Sequence, residues 1–191
     1  MRTLGHEDKI KSSSPEGDPT DGREAFEWQS RWPREARRQQ YWEGAYVFLL
    51  LVSSLGLIFL TWRNIPSTWL ALEAEATVIF NKFSYYAFSG LLGGTVFGVK
   101  YLYRMVARGG WNEDRRLWRL LSPWLSLSLA FAVGTLIDAG WVSLGGPRSD
   151  LIPATKHIAI GFLIGYFSDF AVAKMHEIAR VIFGASQRDG S

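Results

Sequence analysis

The chain contains no cysteine, which excludes disulfides, thiolate nucleophiles and cysteine metal sites together. Histidine is almost as scarce, with three in 191 residues. His6, His157 and His176 are not spaced from one another or from acids as metal ligands require, and "MHEIAR" lacks the second histidine of a zinc-protease helix. "GYFSDF" is not the Gly-x-Ser-x-Gly turn of a serine hydrolase, and Ser168 has no histidine at its depth. No glycine-rich phosphate loop occurs. "DGREA" lacks the later aspartates of a lipid-headgroup transferase. The sequence therefore carries no catalytic constellation, no metal site and no cofactor motif, and it reads as non-enzymatic.

Charge is also missing over long stretches. Gly44 to Trp62, Phe83 to Val99 and Leu120 to Ile137 have no charged residue, and Ile158 to Ala173 is interrupted only by Asp169. A helix needs about 20 mainly apolar residues to cross roughly 30 Å of hydrocarbon. The expected fold class is thus all-α, a polytopic membrane protein with a bundle of four transmembrane helices. Its spans fall at about residues 44–62, 83–104, 122–142 and 156–174. The net charge of +3 and isoelectric point near 9.3 do not indicate nucleic acid, because the basic residues flank the apolar blocks.

Basic residues also set an orientation. Arg31, Arg34, Arg37 and Arg38 precede the first block. Arg104, Arg108, Arg115, Arg116 and Arg119 lie around the connection between the second and third. Lys174, Arg180 and Arg188 follow the fourth. The remaining connections hold only Arg63 and Lys82, and Arg148 and Lys156. Cytoplasmic loops collect Lys and Arg, so both termini are expected on the cytoplasmic side of the membrane. Arg31, Arg34, Arg37, Arg38, Arg115, Arg116 and Arg119 are expected to meet anionic lipid headgroups. Tyr41, Trp42, Trp62, Tyr101, Tyr103, Trp118, Trp124 and Trp141 stand at the block edges, where aromatic belts form.

Residues 1–40 form an expected cytoplasmic N-terminal tail, disordered at first and basic near the membrane. Its first thirty residues hold four Lys/Arg against seven Asp/Glu among Ser, Pro and Gly. The first apolar block begins some forty residues in with no small-residue cleavage site behind it, so no cleaved signal peptide is expected. Residues 64–82 read either as an interfacial helix with a bend or as a continuous helix projecting from the second span, with Ser67 or Thr68 as an N-cap. Asn112 caps a turn leading to Ser122 and Pro123, which open the third span. The fourth helix should run unbroken from Pro153 to Gly184 and emerge as a cytoplasmic extension over 174–184, leaving 185–191 as a tail.

Small residues suggest how the spans dock. Gly90, Gly94 and Gly98 repeat every four residues, and Gly161 and Gly165 share that spacing. Such faces let backbones approach closely in lipid. Counted from Arg104 and Lys174, Lys100 lies four residues in and Asp169 five, so docking the two glycine faces predicts a Lys100–Asp169 ion pair. The alternative is that both side chains reach the headgroups separately. Asp138 and His157 form a candidate outer polar site beside Lys156, read chiefly as a solvated edge. Met175, Ile178 and Ile182 make an apolar stripe for a cytoplasmic partner.

The segments "GFLIGYFSDFAVAKMHEIARVIFG", "GGTVFGVKYLYRMVARGGW" and "LWRLLSPWLS" resemble uncharacterised bacterial four-span inner-membrane proteins. Those end in a glycine-containing span, a Ser-Asp step and an amphipathic helix. The resemblance covers roughly residues 85–184 and implies location but no activity. The function expected is a membrane scaffold or partner subunit, associating as a homo-oligomer or with another membrane or cytoplasmic protein. An oligomeric channel or small transporter, with Asp138 or Asp169 binding a cation, is the alternative.

Overall fold

A computed structural model describes residues 30, 32–108, 110–111, 115–142 and 153–182. Residues 1–29 of the expected tail, Arg31, Asn112 and residues 185–191 lie outside that set, while residues 34–40, expected in the tail, belong to the first helix. Every described element is helical: α1 Arg34–Trp62, α2 Ile65–Trp69, α3 Ala74–Ala107, α4 Arg116–Asp138, α5 Pro153–Tyr166 and α6 Ser168–Ile182. Helix α1 follows Pro33, whose extended backbone precedes a first turn carrying Glu35, where the helix dipole favours an acid. It ends at Trp62, and Asn64, two residues on, takes the left-handed conformation with φ 57° ahead of α2. The Ser67 and Thr68 hydroxyls donate back to the Asn64 carbonyl rather than capping a helix of their own. The Ala71 turn (φ 49°) then leads into α3, which runs without a break for 34 residues, about 51 Å. Residues 64–82 are therefore a short helix, a turn and the first part of α3.

Helix α4 begins at Arg116, six residues before Ser122, so Ser122 and Pro123 lie inside it. The larger departure is at the other end of the chain. The expected continuous last helix is two helices, α5 and α6, meeting at Phe167 with a bend of 96°. The Phe167 amide bonds the Leu163 carbonyl and the Ala171 amide bonds the Phe167 carbonyl, so the helical ladder survives on one side of the corner.

Helix α3 is the centre of the bundle. It packs against α1, α4 and α5; α4 also touches α5, and α6 touches both. Gly44 against Leu102 makes α1 and α3 antiparallel, and Gly94 against Ser126 does the same for α3 and α4. Gly161 against Tyr86 and Gly165 against Gly90 make α3 and α5 parallel.

The interior mixes small polar residues with apolar ones, while much of the exterior of the helices is apolar. Ser54, Thr61, Ser89 and Thr95 are buried, with their hydroxyls donating to carbonyls of their own helices at Leu51, Leu57, Tyr85 and Leu91. Phe48, Leu49, Val52, Leu55 and Phe59 of α1 are exposed. Only 22% of the most apolar stretch of α1, and 28% of that of α4, is buried within the chain. That is the reverse of a water-soluble monomer and suits helices packing in lipid. Among the described residues, α1 and α4 are long and apolar enough to cross a membrane, and α5 with α6 makes a third if the bent pair is one span. Helix α3 is long enough but is diluted by its Tyr, Ser and Gly.

Candidate functional site: ion pairs at both ends of a glycine seam

At the end of the bundle where α1 and α4 begin and α3 finishes, Glu43 and Arg119 form a two-pronged pair. Arg119 Nε donates to one carboxylate oxygen at 2.6 Å and Nη2 to the other at 3.0 Å. Both side chains are buried, at 3% and 7% exposure, which makes a lone charge here expensive and the fork geometry important. The Arg119 guanidinium also lies over the Trp111 ring, 4.2 Å from its centre. Arg116 approaches the same carboxylate at 3.9 Å but is half exposed. Beside them the Tyr46 hydroxyl donates to the Leu120 carbonyl at 2.9 Å and accepts from the Trp124 indole at 2.8 Å. These long side chains join α1 to α4. Glu43, Tyr101, Arg119 and Ser122 line a cavity of about 20 Å³, enough for one water. Arg119 is thus committed inside the protein and not to headgroups. Arg34, Arg37, Arg38 and Arg115 are exposed.

At the opposite end Asp138 is paired with Lys82, whose ammonium donates to the two carboxylate oxygens at 2.7 and 2.8 Å. The expected surroundings of Asp138 were Lys156 and His157; the cation that holds it comes from α3. His157 stands edge-on to Tyr86, with ring centres 5.0 Å apart.

Between these ends lies the seam. A Cβ at Gly165 would run into the Gly90 backbone, one at Gly161 into Tyr86 and Ser89, and one at Gly93 into Phe162 and Tyr166. A Cβ on Gly90 or Gly94 would strike Ala130 or Ser126 of α4. The repeat therefore serves two neighbours, with Gly98 open to space. Gly134 of α4 receives the Tyr86 ring, a contact the sequence spacing did not suggest.

The predicted Lys100–Asp169 ion pair does not form. Opposing Gly165 to Gly90 sets α5 about one turn away from the register that would have levelled the two charges. The corner at Phe167 then carries Asp169 aside. Lys100 donates instead to the Tyr166 hydroxyl at 3.2 Å. Asp169 is exposed in the first turn of α6, where the new helix's dipole favours a carboxylate. Aromatic contacts secure the corner: Tyr166 meets Phe97 at 6.0 Å and Phe167 at 4.9 Å, and Tyr101 beyond Phe97 meets Trp118 at 5.1 Å.

Met175 and Ile178 do not face away from the protein. They line, with Ile137, Ile164, Phe167 and Phe170, a groove of about 540 Å³ in the angle between α5 and α6 over α4. The side chain of Ile182 lies outside the described residues. At the groove's edge on α6, Lys174 donates to Glu177 at 2.6 Å, and that bond and charge hold the Glu177 carboxyl below the usual range.

Among the described residues no group of three or more His, Asp or Glu could hold a metal ion. The geometry offers fastening, with charges neutralised at both ends and helices in backbone contact between. Glu43 was missed because the charge-free count began at Gly44; its mid-face position between exposed Trp42 and half-buried Gly44 could not show burial. No protein-family model, curated protein or solved structure matches the chain.

Proposed function

We propose that the chain is a multi-pass integral protein of the inner (plasma) membrane that acts as a non-catalytic scaffold or partner subunit. The observation that carries this reading is the apolar exterior around a small-residue interior closed by the Glu43–Arg119 and Lys82–Asp138 pairs. Lys82 to Arg104 spans 22 residues of α3, about 33 Å, the thickness of a bilayer's hydrocarbon core. By its contacts with α3, α5 runs from the level of Tyr86 to that of Phe97, about 21 Å over its 14 residues, and only together with the start of α6 does it make up the proposed fourth crossing. Helix α6 leaves at the cytosolic side, and both termini are cytosolic in accord with the basic residues of the Arg104 end.

The channel alternative loses its candidate cation sites, since Asp138 is held by Lys82 and Asp169 is exposed on α6. Four of the five repeat glycines, Gly90, Gly94, Gly161 and Gly165, are spent within the bundle, so any partner meets the exposed faces of α1 and α4 instead. Cross-linking in native membranes, with mass identification of what is held, is the test. A chain cross-linked to nothing, itself included, overturns the scaffold reading. Ion flux from proteoliposomes of the purified protein above that of empty vesicles overturns it in favour of a channel.

A further inference from the structure

A second groove lies at the Arg104 end, between the start of α1 and the last turns of α3, with a volume of about 620 Å³. Its floor is apolar, made by Val99, Leu102 and Val106. Its mouth is polar, carrying Arg37, Tyr41 and Tyr103. Trp32 closes one end, with its indole donating to the Val106 carbonyl at 3.3 Å and holding the approach to α1 against α3.

Two observations indicate what the groove takes. The first is an orphan donor: the Gln40 amide nitrogen is buried, belongs to a residue lining the groove, and has no hydrogen-bond partner among the described residues. A buried donor left unmade is costly, so it marks a place where an acceptor is missing. The second is charge. Arg37 lines the groove, Arg34 and Arg38 are exposed on the same turns of α1 and Arg104 and Arg108 at the end of α3, and among the described residues Glu35 is the acid in the first turn of α1. Glu43 is already taken by Arg119.

We infer that this groove is a binding site for one anionic glycerophospholipid of the cytosolic leaflet. An acyl chain lies along Val99, Leu102 and Val106. The phosphate meets Arg37 with the hydroxyls of Tyr41 and Tyr103, and the Gln40 side chain turns out into the groove to donate to an ester or phosphate oxygen. Arginine suits the phosphate because its fork donates two bonds at once. The site rests on the membrane-spanning reading above, since its apolar floor must lie in the leaflet.

The test uses the full chain purified in mild detergent and offered phosphatidylglycerol or phosphatidylcholine, with retained lipid read by native mass spectrometry. The wild-type chain is expected to retain phosphatidylglycerol in preference. Arg37→Ala is expected to weaken retention about fivefold, as removal of one basic contact at an anionic surface does. Gln40→Leu should weaken it as well, and Arg180→Ala, on the far helix, should leave it unchanged. Arg37 is exposed and Gln40 half-buried, and helical circular dichroism with a single gel-filtration peak confirms that the variants fold. Equal retention of the two lipids, or full retention by Arg37→Ala and Gln40→Leu, overturns the site. Displacement by millimolar inorganic phosphate assigns it to a free anion instead, and retention that appears only after residues 1–29 are removed assigns it to the chain's own acidic segment. Release of the wild-type chain from membranes by alkaline carbonate overturns the membrane reading itself. A chain that resists carbonate but shows no lipid preference overturns only the groove.

Discussion

Arg119 and Arg116 both face Glu43, and the difference between them shows what burial does to a charge. Arg119→Ala leaves a carboxylate at 3% exposure without its fork, which costs about 3–5 kcal/mol when a buried pair is broken on one side. Arg116→Ala removes a half-exposed partner at 3.9 Å and should cost under about 1 kcal/mol. Thermal denaturation in mild detergent separates them: the Arg119 variant must melt well below the Arg116 variant, and equal melting temperatures count against the buried pair. The other ion pair is tested by exchange. Lys82→Asp should destabilise the fold and be partly rescued by Asp138→Lys, whereas Lys100→Asp should gain nothing from Asp169→Lys. The sequence offered Lys100 and Asp169 because both are rare charges at a similar count from a block edge. Counting along single helices cannot fix the register between two of them, and a slip of about one turn moved the level of Asp169 away from Lys100.

At the scale of the helix, the glycines are distinguished by what faces them. Gly165→Ala would press a methyl group into the Gly90 backbone, which cannot rotate aside, so α5 must move off α3. Gly98→Ala meets nothing and should be neutral, or gain up to about 1 kcal/mol from better helix propensity. Proteolysis in detergent, read at the α5–α6 corner, should rise for the first variant and not for the second. Equal resistance would show that the seam does not hold α5.

Helix α6 adds a pH dependence. Glu177 has a folded pKa lowered by Lys174, so its support for the helix is present at neutral pH and is lost as pH falls through the carboxylate range. Protection of the amides within 172–180, taken relative to the intrinsic exchange rate at each pH, should fall there, with Glu177→Gln removing the dependence. The existence of the long helices was legible from charge-free runs alone. Helix starts were not, because α1, α3 and α4 extend through polar turns that such counts exclude. The corner at Phe167 was hidden because no Pro or Gly occupies it, and only the Ser168–Asp169 step, typical of a helix start, marks it in the sequence.

For the whole molecule, the number of crossings and the sidedness of the termini are the decisive quantities. A chain without cysteine allows each site to be probed by one introduced thiol. Single cysteines at Trp69 and Trp141 should react with an impermeant maleimide added to intact cells, and single cysteines at Arg38 and Arg180 only after the membrane is opened. Labelling at Arg180 from outside would overturn the four-crossing arrangement. Sequence patterning carried the helical class and the positions of the apolar runs. It could not supply the central place of α3, since enclosure by three neighbours depends on side-chain size and polarity acting across helices.

That enclosure bears on how the protein is made. Ser84, Tyr85, Tyr86, Ser89 and Thr95 are tolerated in α3 because other helices cover them. During synthesis those covers arrive late: α4 and α5 are encoded downstream. A nascent chain ending near residue 110 would hold α3 in the bilayer only weakly, beside α1 alone. In the membrane arrangement proposed above, synthesis of the chain beyond residue 110 is then what commits α3 to the bilayer.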